Sequence, residues 1–260
     1  MSVEVLAQYF HWYGFIVGVA VVVTWLVVEH LLGQEEARAA IPGWLFGMVG
    51  ALGGARLWHI ATDWHLYYSL PWLDLLWQIC AVWQGGLSIL GALCGGLIGL
   101  LVARWWGGVS SKSVLVLLDS LAIAMPFGQA IGRMANYVNQ ELYGAPTTMP
   151  WGIFIEPAYR VVGFENVEKF HPLFAYEALL LVAFGSWLYL RHYQHRVPWG
   201  TGRLWWWYVL YYLVIRFGLD FVRIDKSMFT QLLSINQVMV LGGIVIVAGY
   251  QVYLVWIAKK

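Results

Sequence analysis

Arg133, Asn136, Asn139, Gln140 and Glu141 crowd into the run GRMANYVNQELYG (132–144), immediately after an apolar stretch from Ser113 to Ile131. A second polar group, in RFGLDFVR (216–223), sets Arg216, Asp220 and Arg223 at i, i+4 and i+7. That spacing predicts one helical face carrying all three. Arg133, Asn136 and Gln140 likewise share a face if their helix continues. Arg56 sits in GGARLWH (53–59), and HPLFAYE (171–177) places Glu177 about one turn inside an apolar segment. An arginine at the bilayer centre costs at least ~2.5–3.5 kcal/mol on insertion scales, so embedded charges are functional candidates by default. The bland alternative is a snorkelling side chain or a structural ion pair. Three arginines toward one side of the membrane on two helices, Arg133 on one and Arg216 and Arg223 on the other, are not expected to be absorbed by the acids available. A guanidinium grips phosphate through two parallel hydrogen bonds, and phosphate at that depth belongs to a phospholipid headgroup. On these residues alone, lipid binding, lipid transport and lipid chemistry all stand open.

The elements that must hold these groups are membrane helices. The chain has 260 residues, 61% hydrophobic and 11% charged, whereas soluble domains average about 25% charged. No basic run suggests nucleic acid. About 20 mostly apolar residues cross a bilayer. Seven stretches qualify, roughly 12–32, 42–60, 84–103, 114–135, 173–190, 204–222 and 235–257. The expected architecture is therefore all-α and polytopic, one transmembrane domain over residues 1–260. Residues 137–172 form a small extracytoplasmic cap within it, whose PWGIFIEP segment suits a short strand. Residues 62–77 read as an interfacial helix or loop.

With the N-terminus outside and the C-terminus in the cytoplasm, eight of the fifteen lysines and arginines fall on the cytoplasmic side and four outside or at the outer boundary. Arg56, Arg133 and Arg216 are left within spans. This bias follows the positive-inside rule and puts Arg133, Arg216 and Arg223 toward the outer leaflet. MSVEVLAQYF lacks the basic n-region of a cleavable signal. Tryptophan and tyrosine suit bilayer interfaces. Gly43 and Gly47, Gly50 and Gly54, and Gly91, Gly95 and Gly99 form small-residue stripes that let helix backbones approach. Cys80 and Cys94 have no metal-ligand spacing, and neither a metal nor a cofactor is expected.

The run GRMANYVNQELYG resembles the signature of the bacterial prolipoprotein diacylglyceryl transferases, an Arg-x-Gly-Asn-Phe-x-Asn-x-Glu-x-Tyr/Trp-Gly pattern. WYG (12–14), GGARLWH, WQGGLSILGALCGGLIG (83–99), PFGQAIGR (126–133), PWGIFI, HPLFAYE, RFGLDFVR and LSINQ (233–237) fall in family order. The resemblance runs from Trp12 to about Gln237. It implies a multi-pass protein of the bacterial cytoplasmic membrane that moves the diacylglyceryl group of phosphatidylglycerol onto the lipobox cysteine of a prolipoprotein signal peptide. Glycerol phosphate leaves and a thioether forms.

Carried over by position, the resemblance implies that Arg133 and Arg216 contact the headgroup. Asn136, Glu141 and Gly144 shape the site, and Tyr13 is a further essential position. Asp220 stands where the family usually has Glu, Arg223 completes its helix face, and His171 and Glu177 build the wall. Three positions depart from the pattern. Leu90 occupies the third-span position that often carries His or Tyr, Ala135 replaces the signature glycine, and His11 stands where Arg is frequent. The thiol's base is then open between Glu141, His171 and no dedicated side chain. The alternative reading is a diverged protein that binds or transports phospholipid without transferring it.

Overall fold

The computed structural model describes residues 12–68, 71–81, 88–224, 226 and 228–257, with the side chains of residues 13, 66, 89, 90, 254, 255 and 257 left undescribed. The described chain is mostly helical. Helix α1 spans Trp12–Thr62, α2 Trp72–Cys80, α3 Ile89–Trp105 and α4 Ser111–Val138. Two short strands follow, β1 at Ile153–Phe154 and β2 at Lys169–Phe170. Helices α5 (Leu173–Tyr193), α6 (Arg203–Leu219) and α7 (Ile235–Ile257) complete the chain.

Four helical stretches are long and apolar enough to cross a membrane: Gly14–Thr62, Ser111–Val138, Leu173–Tyr193 and Ile235–Tyr253. Only 22% of the most apolar window of α1 and 17% of that of α7 is buried within the protein. Such apolar surface, turned outward, matches a lipid solvent and not water. Helix α1 has 51 residues, about 1.5 Å each, far longer than one crossing. Gly33 interrupts it with φ 73° and ψ 168°, a left-handed conformation that glycine alone adopts without a Cβ clash. The break falls one residue after the first expected span. Helices α3 and α6 have 17 residues each, shorter than the stretches expected from 84–103 and 204–222.

The chain divides into two compact units, residues 29–118 and residues 1–28 with 119–260. Within the first, the glycine stripes do what their spacing predicts. A Cβ on Gly54 would run into the backbone of Gly91 and Gly95, and one on Gly50 into that of Gly95 and Gly99. These backbones touch directly, so any side chain would force them apart. Ser88 N–H donates to the Ala55 carbonyl at 3.0 Å across the same contact. Arg56, left inside a span by sequence, is 3% exposed and donates from Nε and Nη2 to the Gln78 carbonyl oxygen. It ties α1 to α2, the amphipathic helix found where an interfacial segment was expected.

In the second unit, Ala130, Ala178, Leu181 and Ile215 form a core joining α4, α5 and α6, with Tyr211, Tyr212 and Leu219 packed against it. Asp119 is wholly buried and accepts backbone N–H groups from Thr201, Gly202 and Leu204 at 2.9, 3.0 and 3.0 Å. These are donors that the start of α6 cannot satisfy internally, so an acid in an apolar run is explained by capping another helix. The cap has its own small core of Tyr143, Ile155 and Phe170. Strands β1 and β2 pair antiparallel, Ile153 opposite Phe170, and Pro146 bridges to the other side of Phe170.

Candidate active site

Helix α4 delivers Arg133 and Asn136 on its last two turns and stops at Val138. Gln140 and Leu142 take positive φ values of 51° and 54°, and these reverse the chain. The Glu141 N–H donates to the Asn136 carbonyl at 2.9 Å, and Asn136 Nδ2 donates to Glu141 Oε1 at 2.9 Å. Asn139 Nδ2 adds a second bond to Oε1 at 3.3 Å. The signature thus closes on itself in a clasp. Gln140 departs from the expected shared face because the helix has ended; its Oε1 accepts the Glu156 N–H at 2.7 Å.

Glu177, one turn inside α5, is the centre of the site. Its Oε1 accepts from Arg133 Nη2 at 2.7 Å and its Oε2 from Arg216 Nη1 at 3.0 Å. The side chain of Glu177 is only 4% exposed, while those of Arg133 and Arg216 are 19% and 20% exposed. This corrects the expectation that the available acids leave the arginines unpaired. Residues 44 and 39 positions apart in sequence meet on one carboxylate. Two guanidinium charges against the one carboxylate they share leave a net charge of +1 on these three side chains. Arg133 also donates to Asn136 Oδ1 and to the Tyr212 hydroxyl, both at 3.4 Å. Tyr212 stands one turn before Arg216 and was not singled out by sequence, where it is one of many aromatic residues in α6.

The second expected cluster is arranged differently. Helix α6 ends at Leu219; Asp220 still follows Arg216 by one helical turn, its N–H on the Arg216 carbonyl at 3.2 Å, but Arg223 lies beyond the helix and leaves the expected face. Asp220, 3% exposed, accepts from Ser234 Oγ and from Asn236 Nδ2, the latter at 3.1 Å. Ser234 and Gln237 cap α7 reciprocally: Ser234 N–H donates to Gln237 Oε1 at 2.9 Å and Gln237 N–H to Ser234 Oγ at 3.0 Å. The LSINQ motif is therefore a capping box, and Asp220 holds it.

Arg223 lies beyond the helix and bridges Gly144 in antiparallel pairing. Gly144 N–H donates to the His171 carbonyl at 2.8 Å, and His171 N–H to the Ala145 carbonyl at 3.0 Å. Backbone pairing thus gathers Gly144, His171 and Arg223. A Cβ on Gly144 would meet Val222 Cγ1 at 2.9 Å and His171 Cβ at 3.2 Å, so the junction admits no side chain there without shifting. The Tyr176 hydroxyl lies 2.8 Å from His171 Nδ1 and accepts from Trp151 Nε1 at 2.7 Å. Ala135, at the signature's glycine position, is fully buried. The side chains of Tyr13 and Leu90 lie outside the described residues, as does His11. Among the described residues no group of His, Cys, Asp and Glu could hold a metal ion.

Two guanidiniums thus share one buried carboxylate at the ends of apolar helices. The family profile described as prolipoprotein diacylglyceryl transferase matches residues 2–255. The chain belongs to this family. The phosphatidylglycerol–prolipoprotein diacylglyceryl transferase of Gloeobacter violaceus is 34% identical, over 96% of this chain and 89% of that protein. The enzyme of the same name from Synechococcus elongatus is 31% identical, over 98% of this chain and 86% of that one. That of Synechocystis is 36% identical over 84% and 76%.

Proposed function

We propose that this protein transfers the diacylglyceryl group of phosphatidylglycerol to the lipobox cysteine thiol of prolipoproteins, releasing glycerol phosphate. The observation that carries the reading is the pair Arg133 and Arg216 on one carboxylate, with a net charge of +1 left for an anion. The whole chain is one domain of the bacterial cytoplasmic membrane. Counting α1 as two crossings at Gly33, and α3 and α6 as short ones, gives seven spans with the N-terminus outside. The cap and the arginines then face the outer leaflet.

In the reaction the thiolate sulfur bonds to the glyceryl carbon that carries the phosphate, and the carbon–oxygen bond breaks. Glycerol phosphate departs with one more negative charge than the diester held. A unit charge about 4 Å from a guanidinium gains roughly 4 kcal/mol at an effective dielectric near 20, worth about three powers of ten in rate. Arg133 and Arg216 supply that stabilisation. Asn136, Glu141 and Tyr212 fix the Arg133 guanidinium, and Glu177 keeps the two like charges side by side. Gly144, His171 and Arg223 line the junction beside them, and Tyr13 completes the set of essential positions. Asp220 acts by anchoring the turn that follows Arg216.

Ionising a thiol of pKa ~8.5 at pH 7 costs only about 2 kcal/mol. Full transfer to a carboxylate of ordinary pKa near 4.3 would cost about 6 kcal/mol. Solvent is then a better proton acceptor than a carboxylate at neutral pH, and His171 already engages the Tyr176 hydroxyl at 2.8 Å, so the reading adopted is transfer without a dedicated base. That accounts for Leu90 at the third-span position.

The test is a reconstituted assay with acyl-labelled phosphatidylglycerol and a lipobox peptide. Label reaching the peptide, and not its Cys→Ser version, is expected. Phosphatidylglycerol that binds without label moving would instead establish a lipid-binding protein.

A further inference from the structure

A cavity of about 420 Å³ lies between the end of α4 and the cap, within the size range of ligand sites. Its walls include Tyr137, Glu141, Phe174 and the strand segment from Phe154 to Glu156. Glu141 is shared with the arginine site through Asn136, which bonds Glu141 at 2.9 Å and Arg133 at 3.4 Å. The cavity therefore begins two hydrogen bonds from the guanidinium assigned to the phosphate. A two-substrate transfer requires a second subsite in just such a position.

The lining discriminates between occupants. Strand β1 pairs with β2 on one side only, so among the described residues its other side is a sheet edge, and both β1 residues line the cavity. The Gln140 side-chain amide already accepts the Glu156 N–H at this edge, standing where the carbonyl of a neighbouring strand would stand. Tyr137 and Phe154, 56% and 55% exposed, give the mouth an apolar rim. An acyl chain would press hydrocarbon against strand backbone and the carboxylates of Glu141 and Glu156, leaving polar groups without partners. An extended, uncharged peptide meets both demands: its amides satisfy the edge, and its small apolar side chains meet the aromatic rim.

We infer that this cavity is the subsite for the thiol-bearing peptide, an extended segment laid along the free edge of β1 with its cysteine toward Glu141. The inference rests on the transferase reading above. It assigns Tyr137 and Phe154 to peptide recognition.

Phe154→Ala, in an exposed position that spares the core, is the test. Transfer is measured in the reconstituted full-length protein against varied lipobox peptide at saturating phosphatidylglycerol, and then the reverse. The expected result is a rise of about tenfold in KM for the peptide, with KM for phosphatidylglycerol changed less than twofold. A photoreactive residue beside the peptide cysteine is expected to cross-link to residues 137–156. A rise in KM for phosphatidylglycerol instead would make the cavity a lipid subsite and overturn the inference. So would two unchanged KM values with cross-links elsewhere. In both of those cases the wild-type protein still moves label and the transferase reading stands; no label transfer by the wild type would remove both.

Discussion

The charge balance around Glu177 can be tested by removing one charge and then restoring the sum. Arg133→Ala leaves Glu177 paired with Arg216 at 3.0 Å, one acid against one base. The fold keeps a satisfied buried carboxylate, but the net charge falls from +1 to zero. Losing the interaction of one unit charge with the departing phosphate costs about 4 kcal/mol at ~4 Å and an effective dielectric near 20, or roughly a thousandfold in kcat. Adding Glu177→Gln to that variant restores +1, while the amide oxygen it introduces can still accept a hydrogen bond from Arg216. The double variant is expected to regain at least tenfold over Arg133→Ala alone. Single-turnover transfer of labelled diacylglyceryl, on samples matched for membrane insertion and Tm, reads the difference. If the double variant is no more active than Arg133→Ala, net charge is not what the site supplies, and the electrostatic account of leaving-group departure fails.

Three further outcomes follow from other parts of the structure. Because the thiolate forms without a dedicated base, transfer should rise about tenfold per pH unit below pH ~8 and level off near the thiol pKa of ~8.5; a flat rate between pH 6 and 8 would contradict this. Gly54→Ala drives a Cβ into the backbone of Gly91 and Gly95, whereas a Cβ on Gly53 meets nothing within 4 Å. The first should lower Tm in detergent by an overpacking cost of ~1–3 kcal/mol or more, and Gly53→Ala should be near neutral; equal Tm values would refute the direct backbone contact. Ser234→Ala removes the capping box at about 1 kcal/mol, and Asp220→Ala should cost more because Ser234 and Asn236 both lose their acceptor. An Asp220→Ala protein with intact Tm but a raised KM for phosphatidylglycerol would move Asp220 from the α7 anchor onto the substrate.

Four membrane-length helices were legible, because apolar composition over about 20 residues is a local property that the bilayer itself selects. Gly50, Gly54, Gly91 and Gly95 were legible for a similar reason: four-residue spacing aligns small side chains on one face whatever the partner is. Helix ends were less so. The shared face drawn for Arg216, Asp220 and Arg223 assumed a helix that continues, and the helix instead ends at Leu219, with Ser234 and Asn236 donating to the Asp220 carboxylate just beyond it. Gln140 left its expected face for the same kind of reason, with a positive φ after Val138 and a distant backbone N–H to satisfy.

By itself, the sequence determined a helical membrane protein with glycine-lined helix contacts and arginines embedded in its apolar spans, since each of these is written in local composition and spacing. Only the tertiary structure decided which acid serves which base. Arg133 and Arg216 meet on Glu177 from three different helices, Asp119 caps a helix that starts more than eighty residues later, and Asp220 turns away to hold the start of α7. A buried charge must find its partner in space, and sequence distance carries almost no information about which one is near.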